Sequence, residues 1–334
     1  MSTITDFSDR IVAHEDAVVL ILDNLVWPLL LFTFLVFSLI LPGSFFTTSN
    51  ISFLLVSSAA VGMLALAESI CLLSGNFDLS VGSIASFSSM ATAFLLTNVF
   101  SGGPGILGII LILFIGGLIG SLNGFSVAYL GVNPFLQTLA FLIIFRGATV
   151  AVSTYPITDL PESYLYLGGS NIVPSVPAAI IVLFGVFIFA GLALKYLPLG
   201  LSIYAVGSDK KSASESGIKT KRVILLVYIV SGMLCGLGGL LFTGFLGAAT
   251  PSLGEGQLFP AFAAAVIGGI SIFGGRGNVS GALGGVLLLG TIQAGLVMIQ
   301  IDPTQIRMIN GVILLIAILL YTGVEKYRRS RLDL

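Results

Sequence analysis

Charge is what this sequence has least of: Asp, Glu, Lys and Arg make up 9% of its 334 residues, against about 25% in an ordinary soluble protein. It holds one histidine (His14), one tryptophan (Trp27) and two cysteines. Cys71 and Cys235 lie inside apolar runs with no CxxC companion, which reads as packing and leaves the redox compartment open. A lone imidazole with no thiolate or carboxylate at ligand spacing reads as an interfacial residue rather than a metal ligand. The ATP-binding pattern GxxxxGK followed by Ser or Thr is missing, and Gly207-Ser208-Asp209-Lys210-Lys211 does not fit it. Nor is there a Ser-His-Asp arrangement or a pair of carboxylates with an adjacent base, so the chain is not expected to be an enzyme. A formal net charge of −1 argues neither way about polyanions, and no nucleic-acid partner is expected.

What is present is apolar: 56% hydrophobic residues and a mean hydropathy of +1.10. The apolar runs are of helical length, which excludes a β-barrel with its alternating short strands. An all-α integral membrane protein follows, and at about 20 residues per span the length accommodates roughly ten transmembrane helices in one domain.

The spans are expected at 24–41, 51–73, 79–100, 106–130, 135–152, 176–194, 223–246, 261–273, 280–299 and 306–321. Residues 1–23 read as a cytoplasmic segment with a short interfacial helix over 11–23. Asp6, Asp9, Glu15 and Asp16 against a single Arg10 argue against a cleaved signal peptide. The membrane domain is placed at 24–322 and a basic tail at 323–334. Glycines at 108, 116, 117, 120 and 124 are expected to let neighbouring helices approach closely.

Orientation comes from the few cations. Lys210, Lys211, Lys219, Lys221 and Arg222 cluster in the polar segment 199–222, Arg276 stands in a glycine turn, and the tail carries Lys326, Arg328, Arg329 and Arg331. The proline-rich segment 153–177 and the connection 248–260 contain no Lys or Arg. With ten spans the basic segments and both termini face the cytoplasm and the other two face out. Gly120-Ser121-Leu122-Asn123-Gly124 precedes Asn133-Pro134 much as the run from Gly290 to Gly295 precedes Asp302-Pro303. This match is either the trace of an inverted repeat, the device of alternating access, or coincidence within glycine-rich helices.

Several polar residues invite a functional reading. Asp78, in the break Ser74-Gly75-Asn76-Phe77-Asp78, either caps the helix that follows beside Ser80 or touches solute. Glu68 and Arg146 lie inside apolar runs and either face a translocation path or pair with a neighbour. Asn123, Asn133 and Gln137 either line a polar path or bind helices together. The 199–222 segment is at least an orientation signal. Its mix of Ala205, Ala213 and Ile218 with Ser212, Ser214, Ser216 and a terminating Gly217 also suits a short surface helix that docks a soluble partner.

These residues also carry a resemblance. The stretch from Leu73 to Ser83, LSGNFDLSVGS, is similar to the GGIDLSVGS signature of the ribose-type branch of ABC importer permeases. Asn133-Pro134-Phe135 with Thr138-Leu139 and Arg146-Gly147, Tyr204-Ala205-Val206-Gly207 with Ser216-Gly217-Ile218, and Val266-Ile267-Gly268-Gly269 with Gly274-Gly275-Arg276-Gly277 follow in the family's order, across about residues 50–325. Asn76-Phe77 stands where the family has Gly-Ile, and Ser212-Ala213-Ser214-Glu215 where it has a more alanine-rich run.

The resemblance implies a vitamin-B12-importer-like (type II) architecture in the cell membrane. It implies a second permease in a homo- or heterodimer, cytosolic ABC ATPase subunits that bind ATP and Mg, and an extracytoplasmic sugar-binding protein. No cofactor is implied for this chain itself. Carried over residue by residue, it points to a substrate pathway at Asn76, Asp78, Ser80, Asn123, Asn133, Gln137 and Arg146. ATPase coupling falls to Gly207, Ser212, Glu215, Ser216, Gly217, Lys221 and Arg222. The expected cargo is ribose or another simple sugar. The alternatives are a branched-chain amino acid or nucleoside permease of the same class, an ion-coupled secondary transporter using Glu68 or Asp78, or a membrane scaffold without cargo.

Overall fold

A computed structural model describes residues 24–101, 103–173 and 176–332; the interfacial helix expected over 11–23 lies outside them. Each of the ten stretches read as spans overlaps a helix, that over 261–273 only the ten-residue Leu258–Ile267. In chain order the helices are α1 (Val26–Ile40), α2 (Thr48–Leu73), α3 (Val81–Asn98), α4 (Gly105–Ala128), α5 (Pro134–Val152), α6 (Glu162–Gly169), α7 (Ala178–Tyr196), α8 (Pro198–Ser208), α9 (Lys210–Glu215), α10 (Thr220–Leu246), α11 (Leu258–Ile267), α12 (Val279–Met298) and α13 (Pro303–Leu332). Six of these, α2, α4, α5, α7, α10 and α12, are long and apolar enough to cross a bilayer. A two-stranded antiparallel hairpin, β1 (Asn171–Val173) with β2 (Val176–Pro177), sits between α6 and α7. The chain is a helical integral membrane protein.

At the centre stands α2, in which every residue from Gly62 to Leu73 is buried. Against it lies α10, which also touches α3, α4, α6 and α8. The α4–α10 seam is made by glycine: a Cβ on Gly116 would run into the Gly232 carbonyl, and one on Gly120 into that of Tyr228. With one residue in four lacking a side chain along this face, the backbones touch, and dispersion substitutes for a hydrophobic effect that lipid cannot supply. By contrast α5 packs chiefly on α3, with only Thr138 and Thr149 buried.

The proline-rich segment differs from a bare loop. Pro161, whose fixed φ suits the first turn, starts α6, and Tyr164 inserts fully into a pocket beside Gly108. Ile157 and Ala249 exchange backbone hydrogen bonds of 2.8 and 3.0 Å, so the two Lys/Arg-free segments meet at one end of the bundle. The basic segment 199–222 lies at the other, a full α10 away, since Thr220 starts that helix and Leu246 ends it. The tail begins inside α13, not after it: the helix continues to Leu332 because Glu, Lys and Arg sustain helix well.

Candidate functional site

Where α2 ends, the backbone leaves the helix through Gly75, whose φ of +74° glycine tolerates best. Ser74 Oγ donates to the Cys71 carbonyl at 2.8 Å, and Asn76 Nδ2 donates to Ser74 Oγ and to its carbonyl at 2.9 and 3.0 Å. The expected pathway residue Asn76 therefore closes the turn. Beyond it Asp78 Oδ1 accepts from Ser80 N at 3.0 Å and from Ser80 Oγ at 2.5 Å. Its other oxygen accepts from Ser231 Oγ of α10 at 3.0 Å. The N-cap of α3 is Ser80, without a side-chain capping bond, so Asp78 does not cap that helix; one carboxyl oxygen holds Ser80 in the turn ahead of it and the other ties the turn to α10.

The network continues. Asn123 Nδ2 of α4 donates to Ser80 Oγ at 3.0 Å, and Gln137 Nε2 of α5 reaches Asn123 Oδ1 at 3.5 Å. Tyr228 of α10 donates its hydroxyl to the Phe77 carbonyl at 2.7 Å. Four of the sequence-derived pathway residues, Asp78, Ser80, Asn123 and Gln137, are thereby brought into one chain of hydrogen bonds linking α3, α4, α5 and α10. Asp78, Ser80 and Asn123 are completely buried. Glu68, also completely buried, has no hydrogen-bond partner on either carboxyl oxygen; it neither lines an open path nor pairs with a cation, but lies against the Asp78 backbone.

The remaining two stand apart. Asn133 is exposed and caps α5, accepting from Phe135 N at 2.9 Å and Leu136 N at 3.4 Å. Arg146 pairs with Glu255 at 2.7 Å on the wall of a cavity between α3, α5 and residues 251–259.

The expected coupling segment folds as two helices. Asp209 ends α8 and caps α9, accepting from Ser212 N at 2.6 Å, and hydrogen bonds from the Ser212 side chain and backbone hold its carboxyl below the usual carboxylate range. Gly217 stops α9 at φ +86°, and Ile218 N bonds back to the Ala213 carbonyl at 3.0 Å. Ala213 turns inward, while Ser212, Glu215, Ser216, Lys221 and Arg222 are exposed, and the Lys221 ammonium stands 5.7 Å from the Tyr129 ring centroid.

Gly207 is different. A Cβ there would strike the Leu73 carbonyl and the Gly275 nitrogen, which are themselves hydrogen-bonded at 3.0 Å. One turn earlier Tyr204 donates its hydroxyl to the Gly277 carbonyl at 3.0 Å. The break after α2, the end of α8 and the Gly274–Gly277 turn therefore meet backbone to backbone. Sequence reading names the three glycine motifs singly and misses their contact. It also misses Ser231 and Tyr228, polar groups in an apolar helix, and Glu255, the partner of Arg146. Among the described residues no group of three or more His, Cys, Asp or Glu could hold a metal ion.

Residues 50–319 match the family model described as branched-chain amino acid transport system / permease component. The chain is 36% identical over 292 residues to the ribose import permease protein of Bacillus subtilis (strain 168), covering 87% of this chain and 90% of that one. It is 33% identical over 292 residues to the D-allose transport system permease protein of Escherichia coli (strain K12), covering 87% and 89%. It is 31% identical over 301 residues to the L-arabinose ABC transporter permease protein of Azospirillum brasilense, covering 89% and 86%. No solved structure matches.

Proposed function

The chain belongs to the permease-component family of branched-chain amino acid transport systems, and from that premise we propose that it is the membrane-spanning subunit of an ATP-driven importer of a monosaccharide. Relatives named for ribose, D-allose and L-arabinose support the cargo. The observation that carries the mechanism is that α8, which leads into the exposed α9, is seated through Gly207 on the break that leads to Asp78.

On this reading the membrane domain covers 24–322 with ten crossings in a type II arrangement and both termini in the cytoplasm. Residues 1–23 precede it at the inner face and 323–334 form its basic tail. Two cytosolic ATPase subunits bind ATP and Mg and grip 199–222 of two permeases, through Ser212, Glu215, Ser216, Gly217, Lys221 and Arg222. An extracytoplasmic sugar-binding protein delivers to the side of 153–177 and 248–260. The sparsely packed α5 offers a surface for the second permease, and the α4 and α12 halves, each followed by an Asx-Pro helix start, are related as an inverted repeat. ATP-driven approach of the ATPases moves the α9 helices together. Because α8 touches the Leu73 carbonyl and the Gly275 amide through backbone, that motion passes without slack into residues 74–80, and the Asp78 network carries it to α4, α5 and α10.

The test is reconstitution of the permease with its ATPase and binding protein. ATP-dependent uptake of a monosaccharide is expected, and Gly217→Pro, or reversal of Lys221 and Arg222 to Glu, uncouples uptake from hydrolysis while leaving the chain in the membrane. Uptake with no ATPase present, or sugar-stimulated hydrolysis unchanged in those variants, counts against it. Because the family is described by branched-chain amino acids, leucine uptake by the same complex is the outcome that would move the cargo to that class.

A further inference from the structure

The cavity between α3, α5 and residues 251–259 measures about 210 Å³, and its depth can be read from packing. Ser89 hydrogen-bonds Thr243 at 2.6 Å and Gly239 lies against the Ala85 carbonyl, so α3 and α10 run alongside one another in the same direction. One turn before Ala85, Gly82 lies against the Gly254 carbonyl, and Ser86 Oγ accepts from Gly254 N at 2.7 Å. At 1.5 Å per residue the level of Gly82 is about 15 Å inside the Leu246 end of α10, a helix roughly 40 Å long. After α10 the chain therefore turns back to near mid-depth before α11 begins.

Irregular backbone at that depth is tolerated where it is buried in protein or lines a water-filled cavity. Here it carries Glu255, and the Arg146–Glu255 pair is 64% and 49% exposed. A charged pair so open would be costly against acyl chains, so its free side faces water or the second permease placed beside α5, and not lipid. Beside it the cavity is lined by Ser83, whose hydroxyl donates to the Ser80 carbonyl at 2.9 Å, and by Phe259, which is 61% exposed. A guanidinium supplies donors only and a carboxylate acceptors only. Hydroxyls, which do both, can bridge the two without separating them, while a ring face covers C–H surface. The lining charges cancel, which suits a neutral polyol.

We propose that this cavity holds the transported monosaccharide part-way through the membrane, with Arg146 and Glu255 on its hydroxyls and Phe259 on its apolar face. The proposal rests on the monosaccharide-importer reading, and the experiment separates the two. Phe259→Cys and, independently, Ser83→Cys are placed in the full complex in proteoliposomes; the native Cys71 and Cys235 are completely buried and give little background. A charged, water-soluble thiol reagent is added with and without D-ribose, D-allose or L-arabinose, whichever the wild-type complex transports. Both cysteines should react, and sugar at ten times its half-saturating concentration should slow the reaction about tenfold. A wild-type complex that carries none of the sugars defeats the functional reading. A complex that carries sugar while both cysteines are unreactive, or react at a rate the sugar does not change, overturns the cavity assignment alone.

Discussion

At the basic end of the bundle three breaks touch backbone to backbone, with Gly207 against the Leu73 carbonyl and the Gly275 amide. Near mid-depth, α5 and the 251–257 segment face each other across a cavity and are joined by the bond from Arg146 to Glu255. Both regions interrupt helices in a membrane, yet one leaves no room for a Cβ at Gly207 and the other is built around a cavity. The first can pass on a displacement because nothing between its parts can compress. The second can open because the ion pair, partly solvated, holds its walls with little energy, about 0–1 kcal/mol for exposed pairs.

The sharpest way to break this contrast is to put a side chain into the closed region. Gly207→Val should abolish uptake, since overpacking costs about 1–3 kcal/mol even where side chains can adjust and here the obstacles are main-chain atoms. Uptake in proteoliposomes checks this; a Gly207→Val complex transporting within twofold of wild type would mean that the contact transmits nothing. Next comes the hydrogen-bond chain that leaves this region. Ser231→Ala removes one bond to a carboxylate, worth about 1.5–3 kcal/mol, and should lower the thermal unfolding midpoint in detergent more than Gln137→Ala, which ends the chain at 3.5 Å.

Much of this could be read from the chain and some could not, for physical reasons. Apolar runs of helical length announce spans, and the cluster Ser74-Gly75-Asn76 announces a break because its residues supply turn geometry that apolar ones do not. Asp78, Ser80, Asn123 and Gln137 stand out as polar residues in apolar surroundings. What binds them is a partner 153 positions away, Ser231, and a serine next to Gly232 reads as one more small packing residue. The 248–260 connection reads as an outer loop because it lacks cations; that Gly254 returns to Gly82 depends on two missing side chains meeting, which spacing does not encode. Glu255 is silent for the same reason.

In the open region the expected effects are smaller and of another kind. Arg146→Gln and Glu255→Gln should each raise the half-saturating sugar concentration about tenfold, as the loss of a charge-assisted bond implies. Their unfolding midpoints should shift much less than that of Ser231→Ala. The exchanged pair, Arg146→Glu with Glu255→Arg, should recover part of the loss. If the single variants instead unfold as readily as Ser231→Ala, the pair is a fastening like the Asp78 network and the contrast between the regions collapses.

The smallest effect separates the two reasons for a glycine within the coupling segment itself. Gly207 has ordinary helical backbone and no room, whereas Gly217 has φ +86° and no atom within 4 Å of a built Cβ. Alanine at 217 meets nothing; it is resisted only by the left-handed conformation, at about 1–2 kcal/mol, which the exposed turn can relieve by fraying the last residues of α9. Gly217→Ala should therefore leave most of the uptake and soften coupling, seen as more ATP hydrolysed per sugar moved, whereas Gly207→Ala, the same added methyl, should remove most of it. Equal losses at the two positions would mean that conformation at the end of α9, rather than contact at the end of α8, limits transmission.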